Sequence, residues 1–192
     1  MKRFVVASAS PRRRELLSNA GYTFEVIPSD ADESLPCGTA ADVAVLELAK
    51  RKAHSVLKNE TNAVVLGCDT VVSLDGKILG KPKTCDEAER MLHSLSGRAH
   101  EVFTGVCITD GEREESFVCE TKVEFYPLSD KTVSSYVKTG EPMDKAGAYG
   151  IQGLGSVLVK KIDGDYFTVM GLPVNECARA LALFGINGKV SL

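Results

Sequence analysis

The chain has 192 residues, 44% hydrophobic and 26% charged, which suits one domain, read as a single unit over residues 1–192 and able to bury a core. A net charge of −3 supplies no general basic field for nucleic acid, no apolar run reaches the length of a membrane span, and the basic-then-apolar N-terminus breaks at Ser8 and Ser10, too early for a signal segment. An anionic substrate must therefore meet a local cluster of cations, and the six cysteines, none in Cys-x-x-Cys spacing, read as reduced thiols of a cytoplasmic protein.

In chain order, residues 4–7 are a short apolar run expected to be a buried strand. A helix follows, with Ser10 as N-cap and Pro11 at its first position; it carries Leu16 and Leu17 and should stop near Gly21. Residues 23–27 read as a second strand. Thr39 is expected to open a longer helix with an apolar stripe of Val43, Leu46, Ala49, Ala53 and Val56. Residues 63–67 form a third buried strand, residues 71–74 extend past it, and Asp75-Gly76 signals a hairpin. Thr84 and Glu87 form a capping box for a helix bearing Ala88, Met91, Leu92 and Leu95. Residues 102–109 and 116–125 are expected as long antiparallel strands joined around Asp110-Gly111. Residues 129–138 read as a short helix, residues 157–162 and 167–169 as strands flanking a hairpin at Asp163-Gly164, and Pro173 as the start of a helix running to about Phe184. Helices alternating with hairpin-linked strands predict an α/β fold with a mixed sheet. The glycine-rich residues 140–155 are the longest irregular stretch, and such loops are usually functional.

Several segments carry candidate chemistry. At residues 8–14 a strand gives way to a serine-rich turn and a helix start, whose N–H groups and partial positive charge favour phosphate. Arg12, Arg13 and Arg14 sit in the first turn, where cations oppose the helix dipole, so an anion bound there would explain them; the plain alternative is a solvated basic turn. Asp69-Thr70 comes just after the run 63–67. An acidic residue at the end of a buried strand is a common metal ligand or general base, or else a turn cap. Lys81 is fixed from behind by Pro82, and Lys52 lies beside Arg51 on the long helix; each is an ordinary surface lysine unless a cleft gathers them. Glu33, in the acidic stretch 29–34, suits Mg²⁺ held through carboxylate oxygens, or simply an exposed acidic loop. Gln152 lies among glycines that let backbone approach a ligand, and its amide both donates and accepts, as reading a base edge requires. His54, His93 and His100 lack metal-ligand spacing and read as structural or surface residues.

Taken in order, Ala7-Ser8-Ala9-Ser10-Pro11-Arg12-Arg13-Arg14-Glu15-Leu16-Leu17, Glu33, Ala49-Lys50-Arg51-Lys52-Ala53, Gly67-Cys68-Asp69-Thr70, Gly80-Lys81-Pro82, Leu95-Ser96-Gly97, Asp144-Lys145-Ala146-Gly147-Ala148-Tyr149-Gly150-Ile151-Gln152-Gly153 and Gly171-Leu172-Pro173 resemble the Maf family of nucleotide pyrophosphatases, also called septum-formation inhibitors. The resemblance implies an elongated α/β fold of the Maf/Ham1 type, a mixed sheet with flanking helices and two lobes around a central cleft. It implies hydrolysis of a nucleoside triphosphate to the monophosphate and pyrophosphate with a divalent metal cation such as Mg²⁺ or Mn²⁺. Arg12, Thr70 and Gln152 resemble the branch acting on dTTP and UTP; the 7-methyl-GTP branch tends to carry Trp at the position of Arg12. On this resemblance Ser8, Arg13, Lys52 and Lys81 hold the phosphates and Glu33 and Asp69 hold the metal. Asp69 also orients or deprotonates the attacking water, and Arg12, Thr70 and Gln152 select an ordinary or modified pyrimidine. Cys68 departs from the family's usual Ala and is expected to point into the core with a modest effect. Two other classes remain: a non-catalytic, nucleotide-binding regulator of cell division, and a nucleotidyltransferase, which would use a glycine-rich turn where this chain has Ser8-Ala9-Ser10-Pro11. The expected partner is the nucleoside triphosphate, with no nucleic acid and no membrane, and a homodimer is the default oligomer.

Overall fold

In the computed structural model, which describes residues 2–190, the apolar run at the N-terminus is β1 (Arg3–Val6), set parallel between β2 (Glu25–Val26) and β3 (Ala63–Leu74). The hairpin strand β4 (Lys77–Leu79) folds back on the far end of β3. On the other side of β3 lie β5 (Ala99–Thr109), β6 (Glu114–Phe125) and β7 (Val159–Asp163), each antiparallel to its neighbour. The mixed sheet thus runs β2-β1-β3-β5-β6-β7, with β4 off this path. Helices α1 (Pro11–Asn19), α2 (Ala41–Leu57), α3 (Cys85–Leu95), α4 (Asp130–Val137), α5 (Tyr166–Met170) and α6 (Val174–Ala182) flank it. Among the described residues, no helix is long and apolar enough to cross a membrane.

Strand β3 passes from one lobe to the other. Its Val64, Leu66 and Cys68 join a core with Leu16 and Leu17 of α1 and Cys177 and Leu181 of α6. Val65, on the opposite face, packs with Ala49 and Ala53 of α2. Further along, Val72 and Leu74 enter a different core with Leu92 and Leu95 of α3 and Val133 and Tyr136 of α4. Between the two, Asp69, Thr70 and Val71 are only half-buried. The sheet is also open there. β1 pairs with β3 only as far as Leu66, and β4 begins only at Val72. From residue 67 to 71, β3 therefore has a strand on one side and a gap on the other. Helix α2 lies directly on the strands beside this gap, because a Cβ on Gly67 would stand 2.2 Å from the Ala49 carbonyl oxygen, and one on Gly105 2.4 Å from that of Val45.

Several expectations change. Asp69 is not at a strand end: β3 runs unbroken through it, paired to β5 at Gly105, because that pairing continues after β1 has stopped. Residues 167–169 are not a strand. They lie in α5, whose N-cap Asp165 accepts from the Thr168 N–H and whose end is turned by Gly171 at φ 106°, so Asp163-Gly164 leads into a helix rather than a hairpin. A three-residue apolar run does not distinguish the two states by periodicity. Thr39 donates to the Pro36 carbonyl instead of capping, and α2 starts at Ala41. Its buried stripe is Ala41, Ala44, Val45, Leu48, Ala49, Ala53 and Val56, which leaves Val43 exposed, because the sheet accepts small residues where α2 crosses its glycines. Ser10 precedes α1 without a side-chain cap bond. Thr84 caps α3 as expected, but the Glu87 carboxylate takes the Lys83 N–H rather than that of Thr84. The glycine-rich stretch is not structureless: it holds 3-10 turns at Glu141–Asp144, Ala146–Ala148 and Gly153–Leu158.

Candidate active site

The gap beside β3 opens into a cavity of about 860 Å³, within the range of small-ligand sites. Ser8, Arg12, Arg13, Glu33, Lys52, Asp69, Thr70, Lys81 and Gln152 all line it. Residues spread over most of the chain are thus gathered in one place. Alternation along β3 divides them: Asp69 and Thr70 are adjacent but point to opposite faces, and each meets a different group.

On the face of Thr70, Arg13 is fixed at several points. Its Nε donates to the Gly171 carbonyl at 2.7 Å, Nη1 to Ser8 Oγ at 2.9 Å and Nη2 to Thr70 Oγ1 at 3.1 Å. Gly171 holds the left-handed conformation that aims this carbonyl, a backbone state L side chains rarely take. The Thr70 hydroxyl is shared with Thr104 Oγ1 at 2.9 Å, and Thr104 donates to the Thr168 carbonyl at 2.8 Å. Ser8 is nearly buried, and its hydroxyl also accepts from the Ser10 N–H. The planar fork of a guanidinium still has N–H groups left for an anion in this arrangement, already oriented.

On the face of Asp69, the Lys52 ammonium stands 2.6 Å from Asp69 Oδ1 and 2.8 Å from Glu33 Oε1. Burial works against the charge on Lys52, but the attraction and hydrogen bonds of Asp69, with those of Glu33, outweigh it and raise its pKa above the usual lysine value. Glu33 reaches this point because its loop is held from α2. Arg51 Nη1 donates to the carbonyls of Asp32 and Ser34, and Ser29 Oγ lies 2.6 Å from Ser55 Oγ. Arg51 is also held along the helix by its i,i+4 partner Glu47 at 2.9 Å, a pairing visible in the sequence spacing. Glu33 and Asp69 are hard oxygen donors that already share one cation. They suit a divalent ion such as Mg²⁺, which takes few carboxylates and completes its shell with phosphate oxygens and water.

The remaining lining residues are placed differently. Lys81 is exposed, held in line by buried Pro82. Lys81, Arg12 and Gln152 take no side-chain hydrogen bond or ion pair from the described residues. Arg12 faces Asp144. Burial would raise that carboxyl, but the Lys145 hydrogen bond and charge, with that of Arg12, hold it below the usual range. The loop bearing Gln152 is pinned on either side of it. The Glu141 carboxylate accepts from the N–H groups of Leu154 and Gly155, each at 3.0 Å, and from the Tyr136 hydroxyl at 2.9 Å. The Gly150 N–H donates to that same hydroxyl at 3.1 Å. Neither Glu141 nor Tyr136 was singled out from sequence, since an acid after a glycine and a tyrosine on a short helix carry no local signal.

Thr70 belongs by its bonds to Arg13 rather than to Arg12 or Gln152. Cys68 is fully buried, as expected, and its thiol donates to the Gly171 carbonyl at 3.2 Å. Burial pushes that thiol up, so it is kept from thiolate chemistry.

The arrangement can cradle an extended anion along β3, with a carboxylate at its midpoint. The sequence model of the Maf-like protein family matches residues 3–184. A Bacillus velezensis protein described as dTTP/UTP pyrophosphatase is 49% identical over 186 residues, 97% of this chain and 98% of that one. One from Halalkalibacterium halodurans with the same description is 46% identical over 189 residues, covering 98% and 100%. Among solved structures, the Ham1 protein of Staphylococcus aureus superimposes with a TM-score of 0.48 at 16% identity, covering 82% of this chain and 80% of that one.

Proposed function

The chain belongs to the Maf-like family, and from that premise we propose how, as a nucleoside triphosphate pyrophosphatase acting on dTTP and UTP, it uses the residues of the gap beside β3. The observation that carries the reading is the convergence of Asp69, Lys52 and the Arg13 group where the sheet lacks a strand.

The triphosphate lies along the gap. Arg13 and Ser8 meet its oxygens from one side and Lys52 and Lys81 from the other, so the negative charge of the leaving pyrophosphate is met by cations already in place. Glu33 and Asp69 would hold the divalent ion, which would supply charge neutralisation to the phosphates. Lys52 engages Asp69 through Oδ1, and Oδ2 takes no hydrogen bond from the described residues, which suits it to act on a water. Asp69 takes a proton from that water as its oxygen attacks the α-phosphorus. The bond from that phosphorus to the bridging oxygen breaks, and the monophosphate and pyrophosphate leave.

Arg12, Thr70 and Gln152 select the base, Thr70 by fixing Arg13 and so the place of the phosphates. An amide can serve either uracil or cytosine by flipping, so Gln152 alone discriminates little. Arg12 has only donors. It favours the O4 carbonyl of uracil or thymine over the amino group that cytosine presents at the same position. Neither contact involves the 5-position, so the 5-methyl that separates thymine from uracil, or another 5-substituent, is no bar to binding. A single unit over residues 1–192 is supported by β3 and β5, which contribute to both cores. The free thiols at all six cysteines suit the reducing cytoplasm.

Pyrophosphate release from dTTP, UTP, CTP, GTP and 7-methyl-GTP, with and without Mg²⁺ or Mn²⁺, tests the reading. Release is expected from dTTP and UTP foremost and only with metal. No release from any triphosphate would leave a binding role in its place, and release undiminished in chelator would remove the metal from the mechanism.

A further inference from the structure

His54 of α2, Cys107 of β5 and Glu114 of β6 are far apart in sequence, yet their ligand atoms lie within 4.8 Å of one another. Their donors are an imidazole nitrogen, a thiol sulfur and a carboxylate oxygen, a combination suited to a zinc-class ion rather than a hard one. Both oxygens of Glu114 are already engaged: Lys50 Nζ stands 3.1 Å from one, and His54 Nε2 lies 2.8 Å from the other. Cys107 is fully buried, and a depression lined by Lys50, His54, Lys58 and Glu114 opens the outer side of the cluster to solvent. Burial, with Glu114 beside it, pushes the Cys107 thiol up to about 12, so it stays protonated until an ion binds, and a metal-coordinating thiol is deprotonated outright. In helix α2, successive residues turn by about 100°, so His54 faces away from Lys52 and from the cleft.

We propose that His54, Cys107 and Glu114 form a second metal site, outside the cleft, that binds a zinc-class ion with an open position left for water. Tetrahedral zinc, with Zn–S about 2.3 Å and Zn–N about 2.0 Å, sets its donors roughly 3.3–3.6 Å apart. Shifts of about 1 Å, within reach of rotamer changes in exposed His54 and Glu114, bring these atoms to that spacing. As the metal–sulfur bond forms the thiol proton passes to solvent, and Lys50 is released from Glu114. Mg²⁺ prefers oxygen and water and does not compete for this donor set, so the cleft and this site load separately.

The test uses the full chain, stripped by chelator and returned to excess Mg²⁺. Equilibrium dialysis is expected to show Zn²⁺ retained, and His54→Ala and Glu114→Gln each to weaken that binding at least tenfold while turnover with Mg²⁺ is unchanged. Co²⁺ in place of Zn²⁺ reports the sulfur directly, through a near-ultraviolet thiolate-to-metal charge-transfer band. That band should persist when exposed Cys37 and Cys85 are both changed to Ser, and vanish in Cys107→Ala. Zinc held without the band, a band that survives Cys107→Ala, or a band lost with Cys37 and Cys85 would each overturn the proposal. Cleft carboxylates alone cannot imitate the positive result, since they bring no thiol.

Discussion

Arg13, Lys52 and Asp69 are tied into the protein by hydrogen bonds and ion pairs before any substrate arrives, whereas Lys81, Arg12 and Gln152 face the same cavity with their polar ends unengaged by the described residues. The first group stands on β3, α1 and α2, elements packed into the cores; Lys81 and Gln152 stand on loops. Groups that must meet charge developing at phosphorus gain most from being fixed, because no reorganisation is then needed during the reaction. Groups that judge a base gain from some freedom when the acceptable ligands differ by a methyl, at the cost of ordering side chains on binding. Under the proposed function the locked group does the chemistry, while the open one takes up the ligand, Lys81 at the phosphates and Arg12 and Gln152 at the base.

The largest effect expected is that of Asp69→Asn. The amide still accepts from Lys52, so thermal stability should hold while kcat falls by about 10³-fold. A fall in Tm matching the loss of turnover would make Asp69 a structural residue instead. Arg13→Lys comes next. A lysine cannot span Gly171, Ser8 and Thr70 together, so kcat/KM should fall by about 10²-fold and stability by about 1–3 kcal/mol, measured in parallel by turnover and urea unfolding. An activity loss with no change in stability would show that the bonds within the locked group are incidental.

A third prediction concerns what supports the open group. His100 is fully buried, its Nε2 2.7 Å from the Tyr149 hydroxyl of the glycine-rich loop and its Nδ1 without a partner. Burial lowers its pKa from 6.5 to about 4, so folding keeps it neutral where the unfolded chain would already be charged. The unfolded state then binds a proton that the folded state does not. Stability from this residue is intact above pH 6.5, declines as pH falls through the interval, and levels off below about 4, a loss of about 3 kcal/mol. Urea unfolding between pH 7 and 4 should show this slope and lose it in His100→Gln; an unchanged slope in the variant would place the acid sensitivity elsewhere. The smallest effects belong to the open group itself. Lys81→Ala should cut kcat/KM about tenfold and Gln152→Ala change the dTTP-to-CTP preference by about tenfold or less, both with unchanged Tm. Destabilisation by either would erase the contrast between the two groups.

Much of this was legible in the sequence. The strand runs, the cap at Thr84, the hairpin at Asp75-Gly76 and the long pair β5–β6 follow from periodicity and turn chemistry. The segments 8–14, 67–70, 80–82 and 144–153 each stand out as possible sites, and each contributes residues to the cavity lining. Residues that act through others were not legible. Glu141, Tyr136, Thr104 and Arg51 are ordinary by type and spacing, and only their partners across the fold give them a role. His54 is exposed, in keeping with its reading as a structural or surface residue, but its neighbours Cys107 and Glu114 come from β5 and β6 and no local spacing announces them.

The sequence by itself determined which segments are apolar enough to be strands and helices, where turns fall, and which residues have the charge or hydrogen-bonding capacity to handle a triphosphate, because these depend on side-chain chemistry and short-range spacing. Tertiary structure alone decided that Asp69 lies within a strand and not at its end, because β5 continues to pair where β1 stops. It also decided that Asp69 and Thr70 serve opposite faces, and that Gly67 and Gly105 let α2 bring Lys52 to Asp69. Those outcomes depend on which strands lie beside one another and how closely a helix can approach them, and long-range packing sets both.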